Sequence, residues 1–367
     1  MENVHENPPQ EVVVKEKELS LNDFPETREA SGEKFNEAAK KIQEKLLELI
    51  RERFDTPNDG WGFHNSEHTK GVINKTKKII EALRKGEVML SNEDAVLAEM
   101  LAAGHDTVQS WEAQEILDAN APIKRTFRKR ARIANEEAST QDVLNLMHEA
   151  NASHAVFTQA DVAHAVEAMN GTIPNWDAEN KTVSQPITEQ SGILARIVAL
   201  ADLGDAGMDT KAYLESGLGL FREEQLDLHN INLESLSSEI KAYYTQRMYN
   251  WIISQVTFAQ GRKARYKEET AGLPETLAEV FSEFDGTITA AQQRAKQWKE
   301  KIDEQGEVRA EMDTVGVFRQ VDLQLVVGSQ DLLADGVDRE VLQLAEGLTD
   351  PAEAEPVPTR FLGFPGH

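Results

Sequence analysis

The chain has 367 residues, no cysteine, and 64 acidic against 39 basic residues, for a net charge of −25. So acidic a chain repels nucleic-acid and membrane phosphates, which argues against a DNA, RNA or anionic-lipid binder. The lack of cysteine excludes disulfides, thiolate catalysis and cysteine-ligated zinc.

Residues 1–30 carry eight acidic and three basic residues with three prolines, a composition that predicts a disordered or loosely packed acidic tail. They show neither a basic start nor an apolar run, so no signal peptide is expected. The middle of the chain, 31–302, reads as one all-α domain, a multi-helix bundle. Phe35, Ala39, Ile42, Leu46 and Ile50 recur at helical spacing in 34–54, and Val72, Thr76, Ile80 and Leu83 in 66–84. Ser91 and Asp94 form a capping box for a helix reaching about 104. Further helices are predicted over 134–150, 159–169, 187–203 and 237–268, and two more after Pro274 and Thr289. Strand patterning is nearly absent. Residues 303–367, with 14 acidic and four basic residues, form an acidic C-terminal appendage, in which Val321, Leu323, Leu325 and Val327 alternate as a weak strand signal. No apolar stretch is long enough to span a membrane, so a soluble, cytoplasmic protein is expected.

Three predicted helix faces end in a polar group. In GFHNSEHT (62–69), His68 precedes Val72, Thr76 and Ile80 at intervals of four, so it points inward; His64 lies one turn earlier. His105 follows Leu97 and Leu101 in the same way, with Asp106 beside it, and Asp202 follows Leu194 and Val198. Burying Asp106 and Asp202 unpaired is costly. A divalent cation shared by His68, His105, Asp106 and Asp202 removes that cost. Mixed nitrogen and oxygen ligands suit Mn, Fe, Zn or Mg without choosing among them. Such an ion activates water and neutralises charge on phosphorus, and His64 is placed to protonate a leaving oxygen.

The order FHNSEHT, GHDT and a distant ADLGD, covering about 60–270, resembles the HD superfamily of metal-dependent phosphohydrolases. The resemblance implies an HD-type helical fold, one or two divalent ions, and ligands His68, His105, Asp106 and Asp202. Within the superfamily, Phe63-His64-Asn65 followed by His68 is similar to the first motif of cyclic-nucleotide phosphodiesterase domains, which implies His64 as catalytic acid. The segment SQVTF (254–258) resembles the one in which a glutamine holds the base edge and a phenylalanine stacks on the base, implying Gln255 and Phe258 as substrate contacts. The implied substrate is a small phosphorylated molecule, a nucleotide above all. The acidic pair of (p)ppGpp hydrolases and the Gly-Tyr-Pro signature of dinucleotide-specific relatives are both absent, so the resemblance does not fix the substrate. A phosphomonoesterase on the same centre, and a non-catalytic metal-stabilised sensing module, stay open as alternatives. So does the oligomeric state.

The run IKRTFRKRAR (123–132) concentrates six cations in an acidic chain. It reads either as a solvated loop or helix face or as a phosphate-steering rim in which Arg128 and Arg132 meet the substrate. His148, His154 and His164 read most simply as helix-face or core histidines, with an extra ligand or substrate contact the alternative for His154. Glu136 and Glu137 read as helix-start acids, with the ordering of a metal-bound water as the alternative, and Trp251 with Phe258 first of all as core.

Overall fold

The computed structural model describes residues 18–55, 60–116, 123–229 and 236–307. It is mostly helical, as the periodicity predicts. Helix α1 (Gly32–Phe54) starts where the Ser31 hydroxyl accepts from the Lys34 amide, and it buries Phe35, Ala39, Ile42, Leu46, Ile50 and Phe54. Asp55, just past its end, accepts from the Ser66 amide at 3.0 Å and hydroxyl at 2.6 Å, tying α1 to the start of α2 (Ser66–Lys85). The Asn65 side chain caps α2 by accepting from the amides of Glu67 and His68, each at 3.1 Å. Helix α3 (Asn92–Gly104) opens on the expected Ser91–Asp94 capping box.

Two strands follow, β1 (Trp111–Ile116) and β2 (Arg125–Arg130), paired antiparallel with Glu112 opposite Lys129 and Ala113 opposite Arg128. The basic run is therefore neither a loop nor a helix face. Its strand character escapes hydropathy patterning because charge pairs across the strands replace apolar alternation. Helices α4 (Ala134–Ala150) and α5 (Gln159–Gly171) lie where predicted. A second short hairpin joins β3 (Asn175–Asp177) to β4 (Thr182–Ser184). Helix α6 spans Ile193–Asp202 and not 187–203. The Ser191 hydroxyl accepts from the Thr188 amide, and the Ser191 amide donates to the Thr188 carbonyl, so this segment closes as a turn before α6.

The short α7 (Asp205–Met208) leads into α8 (Thr210–Glu224), a helix the periodicity does not predict. Gly217 and Gly219 lower its helical propensity, and contact with the rest of the protein supplies the compensation. Helix α9 (Ser238–Glu269) is the long one expected, α10 (Thr276–Val280) follows Pro274, and α11 (Phe284–Glu307) begins before Thr289 and carries on past residue 302. The stretch 321–327 lies outside the described residues.

The core is built chiefly by α1 to α6, with Val72, Leu83, Leu101, Leu144, Phe157 and Val198 among its fully buried members. A Cβ on Gly104 would come within 2.4 Å of Val143, so α3 meets α4 at a glycine. A second apolar cluster of Leu218, Phe221, Met248, Trp251, Ile252 and Trp298 joins α8, α9 and α11. The acidic-tail boundary at residue 30 needs correction. Phe24 is buried in the core, the Gln159 amide donates to the Pro25 carbonyl, and Arg28 pairs with Asp161 at 2.8 Å. Burial of Phe24, with these polar contacts, docks the segment despite the acidic composition around it. Among the described residues no helix is long and apolar enough to cross a membrane.

Candidate functional site

Helices α2, α3 and α6 bring His68, His105, Asp106 and Asp202 together. The ligand atoms of His68, His105 and Asp106 lie within 4.8 Å of one another. His105 Nε2 is 3.0 Å from Asp106 Oδ2 and 3.4 Å from Asp202 Oδ1; His68 Nε2 is 3.5 Å and 3.6 Å from the same two oxygens. Neither Nε2 makes a hydrogen bond, although both atoms are buried. The remaining atoms of the cluster are held in place. His105 Nδ1 bonds the Ala102 carbonyl at 2.9 Å, Gln109 donates to Asp106 Oδ1 at 2.7 Å, and Gln185 donates to Asp202 Oδ2 at 2.9 Å.

Burial works against charge at all four groups, yet their mutual attraction prevails. The neighbouring carboxylates hold His105 well above the ordinary imidazole range and raise His68. The imidazoles in turn hold Asp106 and Asp202 below the usual carboxylate range.

His64 sits at the edge of this cluster, buried just before α2. Its Nδ1 bonds Glu223 Oε1, while Glu223 Oε2 accepts from the Phe63 and His64 amides, both at 2.9 Å. Burial would raise the fully enclosed Glu223 carboxyl, but His64 and these bonds bring it down to about 2. Burial, and then the Arg130 charge, push His64 itself below the ordinary imidazole value against the pull of Glu223. Glu223 therefore stays ionised, fixes the proton of His64 on Nδ1 and turns Nε2 away from itself. Nothing in FREEQ (221–225) separates Glu223 from a solvent-facing helix acid. The contact that singles it out is between glycines distant in sequence. A Cβ on Gly62 would lie 2.4 Å from the Gly219 carbonyl oxygen, and one on Gly219 would lie 2.3 Å from that of Gly62. Only glycine lets α8 come this close to the loop carrying His64.

A cavity of about 500 Å³ opens on the cluster and is lined by His64, His105, Asp106 and Asp202 at one end. Gln255 and Phe258 line it too, on α9, one turn apart. The Phe258 ring lies 6.5 Å from that of Tyr213, nearly parallel, and the Tyr213 hydroxyl donates to the Gln255 carbonyl at 2.5 Å. A Cβ at Gly217 would meet the Gln255 amide oxygen at 2.6 Å, so this glycine makes room for that side chain. From β2 and the turn after it, Arg128 and Arg132 reach the cavity wall. Arg128 is buried with its guanidinium 3.9 Å over the Trp61 ring and 4.5 Å over that of Trp111. Arg132 is exposed at the rim and donates to the Pro174 carbonyl at 3.3 Å.

Two further acids share the cavity, Glu136, which the sequence places at a helix start, and Glu224, which the sequence does not single out. Burial raises Glu136, whose Oε2 has no hydrogen-bond partner, and burial with the Glu223 charge pushes Glu224 up to about 7. Ile133, exposed at the rim, has φ 69°, an unusual conformation for a β-branched residue. His148, His154 and His164 are exposed and take no part.

The arrangement is that of a mostly helical protein with a partly open cavity lined by members of a histidine–aspartate cluster. No family model, curated protein or solved structure matches this chain.

Proposed function

We propose that the chain is a metal-dependent phosphoric-ester hydrolase of the HD type that cleaves a nucleotide phosphodiester. The observation that carries this reading is the pair of buried Nε2 atoms on His68 and His105. Both lack a hydrogen bond, and both converge on Asp106 and Asp202 within 3.6 Å. Two imidazole nitrogens and two carboxylates gathered this closely fit a divalent cation such as Mn, Fe, Mg or Zn. When bound, the ion supplies water activation and neutralises charge on phosphorus.

The chain's own residues supply the rest. Asp106 and Asp202 are oriented by Gln109 and Gln185. His64 takes a proton on Nε2 and gives it to the departing oxygen, while the Glu223 carboxylate offsets the imidazolium charge. The Gln255 amide offers a donor and an acceptor to the edge of a base, and the ring of Phe258 offers a face for stacking. The walls beyond the cluster are mainly apolar, which suits the faces of a base.

The test is metal analysis of the purified protein, then turnover of a panel of cyclic and linear nucleotides with Mn, Mg and Fe in turn. Metal-dependent release of a nucleoside monophosphate from a diester supports the reading. Release only from monoesters makes the protein a phosphomonoesterase on the same centre. Tight metal binding with no turnover of any substrate leaves a metal-stabilised sensing module.

A further inference from the structure

Five of the six cations in 123–132 have a place in the protein's own architecture. Lys124 and Lys129 pair across the hairpin with Glu115 and Glu112. Arg128 is stacked between Trp61 and Trp111. Arg125 donates to Gln225 at 3.5 Å and Arg132 to the Pro174 carbonyl at 3.3 Å.

Arg130 differs. Its nearest anionic atom is Asp106 Oδ1 at 3.9 Å, beyond hydrogen-bond reach, and its buried Nε has no acceptor. Among the described residues no group accepts a hydrogen bond from this guanidinium. The side chain is nonetheless four-fifths enclosed, with 20% exposed, and lines the same cavity as His64 and Asp106. Its charge is felt by His64, Glu136 and Glu224, so it stands among the ionisable groups of the cavity. A guanidinium removed from water without hydrogen bonds is costly to keep. A bidentate oxyanion repays that cost, and phosphate geometry matches the guanidinium fork.

We infer that Arg130 holds the phosphoryl group of the substrate, as a forked donor to its non-bridging oxygens beside the His68–His105–Asp106–Asp202 cluster. This rests on the hydrolase reading for its substrate class, but it makes a separate claim about anion binding. The competing role is structural: Arg130 merely screens Asp106. The two separate cleanly, since a screening residue affects a cation at the cluster and a phosphate-holding residue affects an anion in the cavity.

The experiment uses the full chain, titrated calorimetrically with inorganic phosphate in the presence of Mn and, in parallel, with Mn alone. Arg130→Met should weaken phosphate binding about 10- to 100-fold, the loss of two charge-assisted hydrogen bonds, while Mn binding holds or tightens. Arg130→Lys keeps the charge without the fork and should lose about 3- to 10-fold for phosphate. Unchanged phosphate affinity in Arg130→Met, with or without altered Mn affinity, overturns the inference. So does a wild-type chain that binds no phosphate. If the Met variant does not fold, wild-type affinity in the Lys variant overturns it equally. Nucleotide turnover is scored apart. A chain that binds phosphate through Arg130 yet hydrolyses nothing retains this site and loses the hydrolase assignment.

Discussion

Glu223→Gln isolates the role of the His64–Glu223 contact. In the native chain Glu223 Oε2 accepts from two backbone amides at 2.9 Å and Oε1 from His64 Nδ1. A glutamine keeps an oxygen for the two amides, so the loop and α8 should stay joined. Its NH₂ group, however, faces Nδ1 as a donor. The imidazole must then carry its proton on Nε2, and an imidazolium there has lost its buried counter-charge. Burial and Arg130 already hold His64 below the ordinary imidazole value. Without the carboxylate it falls further. If the protonated form donates to the leaving group, activity declines as pH rises through the His64 pKa, and in the variant this decline moves to lower pH. A hydrogen bond to a charged group contributes about 1.5–3 kcal/mol, which corresponds to a fall in kcat of about 10- to 150-fold for a nucleotide at neutral pH. Bis(p-nitrophenyl) phosphate, whose leaving group departs without a proton, should change by less than about threefold. The assay is the pH profile of kcat on both substrates. Equal loss on both, or an unmoved alkaline limb, would refute a proton-donating His64 positioned by Glu223.

Three further outcomes are expected. Asp106→Ala should abolish hydrolysis and lower bound metal while circular dichroism stays helical; full activity in this variant would sink the metal centre. Gln255→Ala should raise KM for a nucleotide roughly 5- to 100-fold and leave the small diester nearly unaffected, whereas equal loss on both with a lower Tm would make Gln255 structural. Removing residues 1–30 should cost more stability than removing 1–17, because Phe24 is 4% exposed and its burial is worth about 1.5–3 kcal/mol; equal denaturant midpoints for the two truncations would show that its docking contributes nothing.

The residues of the histidine–aspartate cluster are legible because each continues an apolar stripe at intervals of four, so helix phase alone points His68, His105 and Asp202 inward. Gln255 and Phe258 are legible as α9 positions in the same way, and both line the cavity. Glu223 is not legible, since its partners lie about 160 residues away and no local pattern marks an acid that three distant donors will hold. Helix α8 is hidden for a related reason. Gly217 and Gly219 read as helix breakers until the chains they approach are known. The hairpin is concealed by charge, because Glu112–Lys129 and Glu115–Lys124 do the pairing that apolar alternation usually signals. Arg128 reads as a substrate contact, but its guanidinium is engaged by two indoles.

That last feature gives the protein a built-in optical reporter. Two of the five tryptophans, Trp61 and Trp111, face the same guanidinium. One belongs to the loop that leads to His64 and the other to the outer strand of the hairpin. Their emission is thus sensitive to how these two parts of the cavity wall stand against each other, with a positive charge between them. Any event that separates loop from hairpin alters both fluorophores at once, with no label added. The cation that joins the two parts of the wall also couples them to an intrinsic fluorescence signal.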